Sequence, residues 1–199
     1  MTRLFLTLLT CNIFLLAEDN FSLRLAGGVA DENDFGQILS SQTNRHDSKV
    51  GLVGIDGGYL LKRFEAPFDL YVKAGLYRFL ENGYQDDFWE TTLYLKLHYN
   101  LDIWNNSIRF GIAEGFSYAF EIPIVEHIEA QENEDKNSNM LNYLEVSLDF
   151  DLGKLLHVKR LEQTYLGYTL KHRSGIYGLI NSVSRGGSNY NMLHIEKNF

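Results

Sequence analysis

Apolar and polar residues alternate with period two along almost the whole of this 199-residue chain, and that pattern constrains the fold more than any other feature. Trp89, Thr91, Leu93, Leu95, Leu97, Tyr99 and Leu101 share one side of a segment whose other side carries Glu90, Thr92, Tyr94, Lys96, His98 and Asn100. Leu144, Val146, Leu148, Phe150 and Leu152 oppose Tyr143, Glu145, Ser147, Asp149 and Asp151 in the same way. With no long helical pattern beside them, such segments predict an all-β fold. Eight strands are expected, over residues 21–30, 50–64, 69–79, 88–101, 108–120, 141–152, 164–174 and 188–199.

The connections alternate in length. Residues 30–50, 79–88, 120–141 and 174–188 form long polar or glycine-rich links, whereas 64–69, with Pro67, and 101–108 are short. The link 153–163 is the exception and has room for a helical turn. Long and short links in alternation, with both termini at the short end, predict an eight-stranded antiparallel up-and-down transmembrane β-barrel. An interior of that size is plugged by side chains, so no open channel is expected.

The beginning of the chain agrees with export. Arg3 precedes an apolar stretch, Leu4 to Ala17, that Glu18 and Asp19 end abruptly, which reads as a signal peptide over residues 1–17 followed by the barrel, 18–199. The single cysteine, Cys11, lies within that leader, leaving no thiol for a disulfide or a thiolate metal site. Lys and Arg number 18 against 26 Asp and Glu, a net charge of −8, so nucleic acid is not an expected partner. The expected location is a bacterial outer membrane, with its lipid or lipopolysaccharide as partner.

Parity alone does not choose between a membrane barrel and a lipocalin-like carrier, whose apolar residues would line a ligand cavity. Three features favour lipid outside. Loop lengths alternate; aromatic residues gather near strand ends (Phe88, Trp89, Tyr99, Phe116, Tyr118, Tyr165, Tyr190); and the chain closes on an aromatic strand, Leu193 to Phe199. A terminal Phe resembles the assembly signal of outer-membrane barrels, so barrel-assembly machinery is an expected partner. In the lumen, Lys73, Lys96 and Arg109 are expected to pair with Asp56, Glu145 and Asp149. Glu114 shares parity with Ile112, Phe116 and Tyr118 and would face lipid, so a different register is expected there.

No Walker loop, dinucleotide fingerprint, zinc-type spacing or Gly-x-Ser-x-Gly elbow occurs, and no cofactor or metal ligand is assigned. The acidic run over residues 126–135 is expected to be a solvated loop. The informative segment is the seventh strand. Leu166, Tyr168 and Leu170 put His172 and Ser174 on the outer face near the external rim, close enough for imidazole to take a hydroxyl proton. Counting back from Phe199 places Asn189 on the outer face of the neighbouring strand, where it can orient His172. Catalytic candidates are therefore Ser174 as nucleophile, His172 as general base and Asn189 as orienting group. Backbone N–H groups at Gly175 to Gly178, or at Gly186 and Gly187, are the candidate oxyanion donors. A His and a Ser at a barrel rim also serve simply as interfacial residues, which keeps a non-catalytic barrel open.

At His172-Arg173-Ser174 the sequence resembles the lipid A deacylases of bacterial outer membranes, whose His-x-Ser element it matches over the last thirty or so residues. The resemblance implies an eight-stranded barrel with a Ser-His-Glu triad on its outer wall, removing an acyl chain from lipid A. Two positions depart from that pattern. Ser188-Asn189 stands where the family places its Glu, and Gly175 where an Asn is expected after the serine. An Asn can orient a His but supplies no charge.

Overall fold

The computed structural model describes residues 20–65, 67–184 and 186–199, so the expected signal peptide lies outside the described residues. Its strands are β1 Phe21–Asp31, β2 Gly51–Arg63, β3 Phe68–Leu80, β4 Phe88–Ile103, β5 Asn106–Ala119, β6 Met140–Asp151, β7 Thr164–Ser174 and β8 Gly187–Asn198. They close into an antiparallel barrel in chain order, β8 pairing back onto β1. Every strand expected from the alternation is present, with ends displaced by at most two residues. The 153–163 link holds a short helix, Leu152–Leu156, and a single 3-10 turn, Lys159–Leu161.

The two faces resolve the question that parity leaves open. Leu93 and Leu95 on β4, Phe110 and Ile112 on β5, and Leu193 and Ile195 on β8 all stand exposed on the outside. That is far more contiguous apolar surface than a water-soluble monomer presents. The lumen holds charges rather than an apolar ligand cavity, which sets aside the lipocalin-like arrangement. Trp89, Tyr99, Phe116 and Tyr118 lie on the outer face. Phe88, Tyr165 and Tyr190, expected in the same aromatic belt, point inward because they occupy the opposite parity of their strands.

Inside, each buried cation meets a carboxylate. Arg24 bonds Asp56 (2.6 Å) and grips both oxygens of Glu145 (2.8 Å each), while Tyr77 and Tyr94 also accept from its Nη2. The three expected pairs all form: Lys73 with Asp56 at 3.2 Å, Lys96 with Glu145, and Arg109 with Asp149 at 2.9 Å. Glu196 joins Lys73 to Arg109, and Glu90 joins Lys171 to Arg173. Breaking one such pair strands a buried charge at about 3–5 kcal/mol, so the network fixes the lumen even where its net contribution is small.

Towards the long loops the lumen turns apolar and is closed by a helix, α2, Ile124–Glu132; a shorter one, α1, spans Phe35–Leu39 in the first long loop. Val125 of α2 joins the buried cluster of Leu52, Tyr77, Phe79, Phe88 and Tyr190, and Ile124 packs against it. The acidic run is therefore not merely solvated. Glu126 is buried, accepting from Arg173 Nε (2.8 Å) and Ser188 Oγ (2.6 Å). Those partners lie on β7 and β8, distant in sequence, so the local spacing of acids gave no sign of them.

Candidate functional site

One row of the outer wall runs perpendicular to the strands. It reads Glu114 on β5, Leu144 on β6, His172 on β7, Asn189 on β8 and Asp31 on β1. The row above it brings Phe116, Asn142, Ser174 and Gly187 together. Neighbouring residues in a row present adjacent side chains, so the register alone gathers the candidate residues on one patch. Glu114 faces outward as parity dictates. The register shift anticipated for it does not occur in β5; among the described residues the one irregularity is between Leu60 and Lys62 in the β2–β3 pairing.

The loops fold over this patch and convert it into a groove of about 870 Å³. Asp34 and Phe35 form one wall, Ile176, Tyr177 and Gly186 another, and Glu129 with Asn133 the top; Leu144, Asn142 and Glu114 belong to the floor. The Phe35 ring packs on the imidazole of His172 at 5.0 Å between centroids. Beside the groove Tyr177 and Leu179 are 94% and 82% exposed, two apolar side chains at the tip of the β7–β8 loop. Ile176 and Tyr177 both take left-handed φ values, 49° and 53°. Side chains other than Gly and Asn adopt that conformation at a cost, above all the β-branched Ile176, and such strain collects at functional sites.

His172 Nδ1 lies 2.8 Å from Asn189 Oδ1. The direction of this bond follows from its surroundings. Asn189 Nδ2 donates to the carbonyl of Asn33 (3.0 Å), which fixes the amide with its oxygen towards the ring. Nδ1 must then carry the hydrogen, and the basic lone pair falls on Nε2, the tautomer a general base requires. Ser174 lines the same groove, half-buried, but makes no hydrogen bond to His172 among the described residues. Two residues apart on one strand face, their Cα atoms are separated by roughly 6.5–7 Å, a gap that side-chain rotation narrows.

The anticipated oxyanion donors are partly committed. Gly178 N–H donates to the Val183 carbonyl, Gly186 N–H to Asp135 and Gly187 N–H to Glu129. The N–H groups of Ile176 and Tyr177, at the groove wall, donate to no group among the described residues. Position 175 requires glycine here: a Cβ would meet the Val183 carbonyl oxygen at 2.0 Å. The Asn found at that point in the deacylase pattern has no room in this hairpin.

Three carboxylates of the groove, Asp34, Glu114 and Glu129, escaped the sequence reading as parts of the site. Glu114's signal was its parity. Glu129 came from the helix that closes the barrel, which nothing local announced. Burial, then repulsion from Glu126, Asp34 and Glu132, pushes the Glu129 carboxyl up to about 7, against the hydrogen bond from Gly187 that favours its charge.

No family model matches the sequence, and no curated protein matches it either. Among solved structures, the outer membrane enzyme PagL superposes with a TM-score of 0.58 at 8% identity, over 89% of this chain and 99% of its own. The N-terminal β-barrel domain of Pseudomonas aeruginosa OprF gives 0.53 at 12% identity, covering 91% and 98%. Neisserial surface protein A gives 0.53 at 14%, covering 92% and 98%. The chain thus has the closed eight-stranded antiparallel fold found in small outer-membrane barrels, both an enzyme and a surface protein among them.

Proposed function

We propose that the barrel sits in a bacterial outer membrane and that its outer-wall groove hydrolyses an acyl ester of an outer-leaflet glycolipid, as a lipid A deacylase-like esterase. One observation carries the reading: the Asn33–Asn189–His172 chain of hydrogen bonds, which leaves the basic nitrogen of His172 to the groove that Ser174 shares. The apolar outer wall and the fold of an outer membrane enzyme support it.

In this mechanism Nε2 of His172 takes the Ser174 hydroxyl proton as Oγ attacks the ester carbonyl carbon. Collapse of the tetrahedral adduct breaks the bond to the alcohol, which leaves with the proton from His172. Water, deprotonated by the same nitrogen, then releases the fatty acid from Ser174. Asn189 holds the imidazole without the charge a Glu would lend to the developing imidazolium, so turnover is slow compared with a Ser-His-Glu site.

A non-catalytic barrel is the second reading, favoured by the unmade Ser174–His172 bond and by Phe35 lying on the imidazole. Lipid A and simple esters incubated with the purified protein between pH 6 and 9 separate the two. Ester cleavage that disappears in Ser174→Ala supports the hydrolase; no cleavage supports the non-catalytic barrel.

A further inference from the structure

We propose that Glu114 is a specificity-determining residue of the groove and selects a lipid whose headgroup carries a cationic amine. The inference rests on reading the groove as a lipid site and adds the chemical class of what it takes. Glu114 stands on the outer wall between Ile112 and Phe116, both exposed on the apolar face. Its carboxylate has no hydrogen-bond or ion-pair partner among the described residues, whereas Asp56, Glu90, Asp149 and Glu196 in the lumen are each held by a cation. An ionisable group in such a wall is costly and persists where it serves a ligand. Glu114 also lines the groove and occupies the register row of His172, with only Leu144 between them, so a group held by its carboxylate lies next to the reacting ester.

The sign of the groove agrees. Its described lining includes Asp34, Glu114 and Glu129 and neither Lys nor Arg. Phosphate recognition calls for Arg, Lys or converging N–H donors; the Gly186 and Gly187 N–H groups here are already bonded to carboxylates, which leaves the N–H groups of Ile176 and Tyr177 against the carboxylates of Asp34, Glu114 and Glu129. An ammonium offers three donors to a lone carboxylate and gains most where water is sparse.

The test uses the full barrel in nanodiscs, carrying Ser174→Ala so that bound lipid is not consumed, and native mass spectrometry of competing lipids. The probes are a phosphatidylethanolamine and its N-acetylated derivative, which has the same chains and phosphate but no cationic amine. The amine form should bind about tenfold more tightly, and adding Glu114→Gln should erase the preference. Equal binding of the two lipids overturns the proposal, as does a preference that survives Glu114→Gln. A preference for the N-acetylated lipid that appears only with added magnesium overturns it too, assigning the carboxylate to a cation bridging phosphate. If the amine preference holds while the parent protein cleaves no ester, the hydrolase reading fails and the headgroup assignment stands as a binding site.

Discussion

The lumen and the outer-wall groove are built from similar residues to opposite ends. In the lumen Arg24, Lys73, Lys96, Arg109, Lys171 and Arg173 each bond a buried carboxylate, and tyrosine hydroxyls take much of what remains. In the groove Glu114 has no partner among the described residues, Ser174 is not bonded to its neighbouring His172, and the flanking loop spends free energy on left-handed Ile176 and Tyr177. Charge pairing specifies the barrel, even though the His98 ring and the Tyr190 hydroxyl make no hydrogen bond inside it among the described residues; unpaired groups that open to the outside are what a ligand can complete.

The largest expected effect breaks the lumen side of that contrast. Arg24→Met takes the guanidinium from Asp56 and Glu145 at once, leaving Lys73 and Lys96 as their remaining cations, and should cost about 3–5 kcal/mol, or prevent folding altogether. Urea unfolding of the detergent-solubilised barrel, followed by the heat-dependent gel shift of folded barrels, measures it; a loss under about 1 kcal/mol would contradict the network's role. Ser174→Ala makes the opposite cut. It should leave the unfolding midpoint within about 0.5 kcal/mol of the parent and lower ester turnover by about 1000-fold or more. Asn189→Ala should be milder, reducing turnover by about 100-fold while moving the acidic limb of the pH–rate profile, because the imidazole loses its fixed tautomer. A change in KM alone would make Asn189 a structural residue only.

The smallest effect is on pH. Glu129's carboxyl titrates near 7 in the folded protein and near the ordinary carboxylate value when unfolded. Between those values the folded form binds the extra proton, so the docking of α2 weakens as pH rises from about 4.5 to about 7 and changes little beyond. Amide hydrogen exchange in residues 124–132, corrected for intrinsic rates, should accelerate across that window in the parent and not in Glu129→Gln. Equal slopes in both would remove Glu129 from the coupling.

Much of this architecture was legible in the sequence because a barrel wall obeys strict parity. Counting by twos placed Lys73, Lys96 and Arg109 beside their carboxylates and put His172 and Asn189 on one outer face. The same rule, applied to Glu114, was right where an exception was expected, and it would have sent Phe88, Tyr165 and Tyr190 inward. Parity says nothing about loops. Asn33, whose carbonyl fixes the Asn189 amide, and Phe35, which covers His172, come from the 32–50 connection. The burial of Glu126 depends on Arg173 and Ser188 waiting in the mouth of the barrel, a tertiary contact with no local signature.

The central claim is that the outer wall carries out chemistry, and mass spectrometry of lipid A from cells making the parent protein or Ser174→Ala tests it most directly. Both proteins must first be found, folded, in the outer membrane fraction. Loss of one acyl chain with the parent alone is the predicted result. Identical spectra would contradict it and leave a structural or binding barrel.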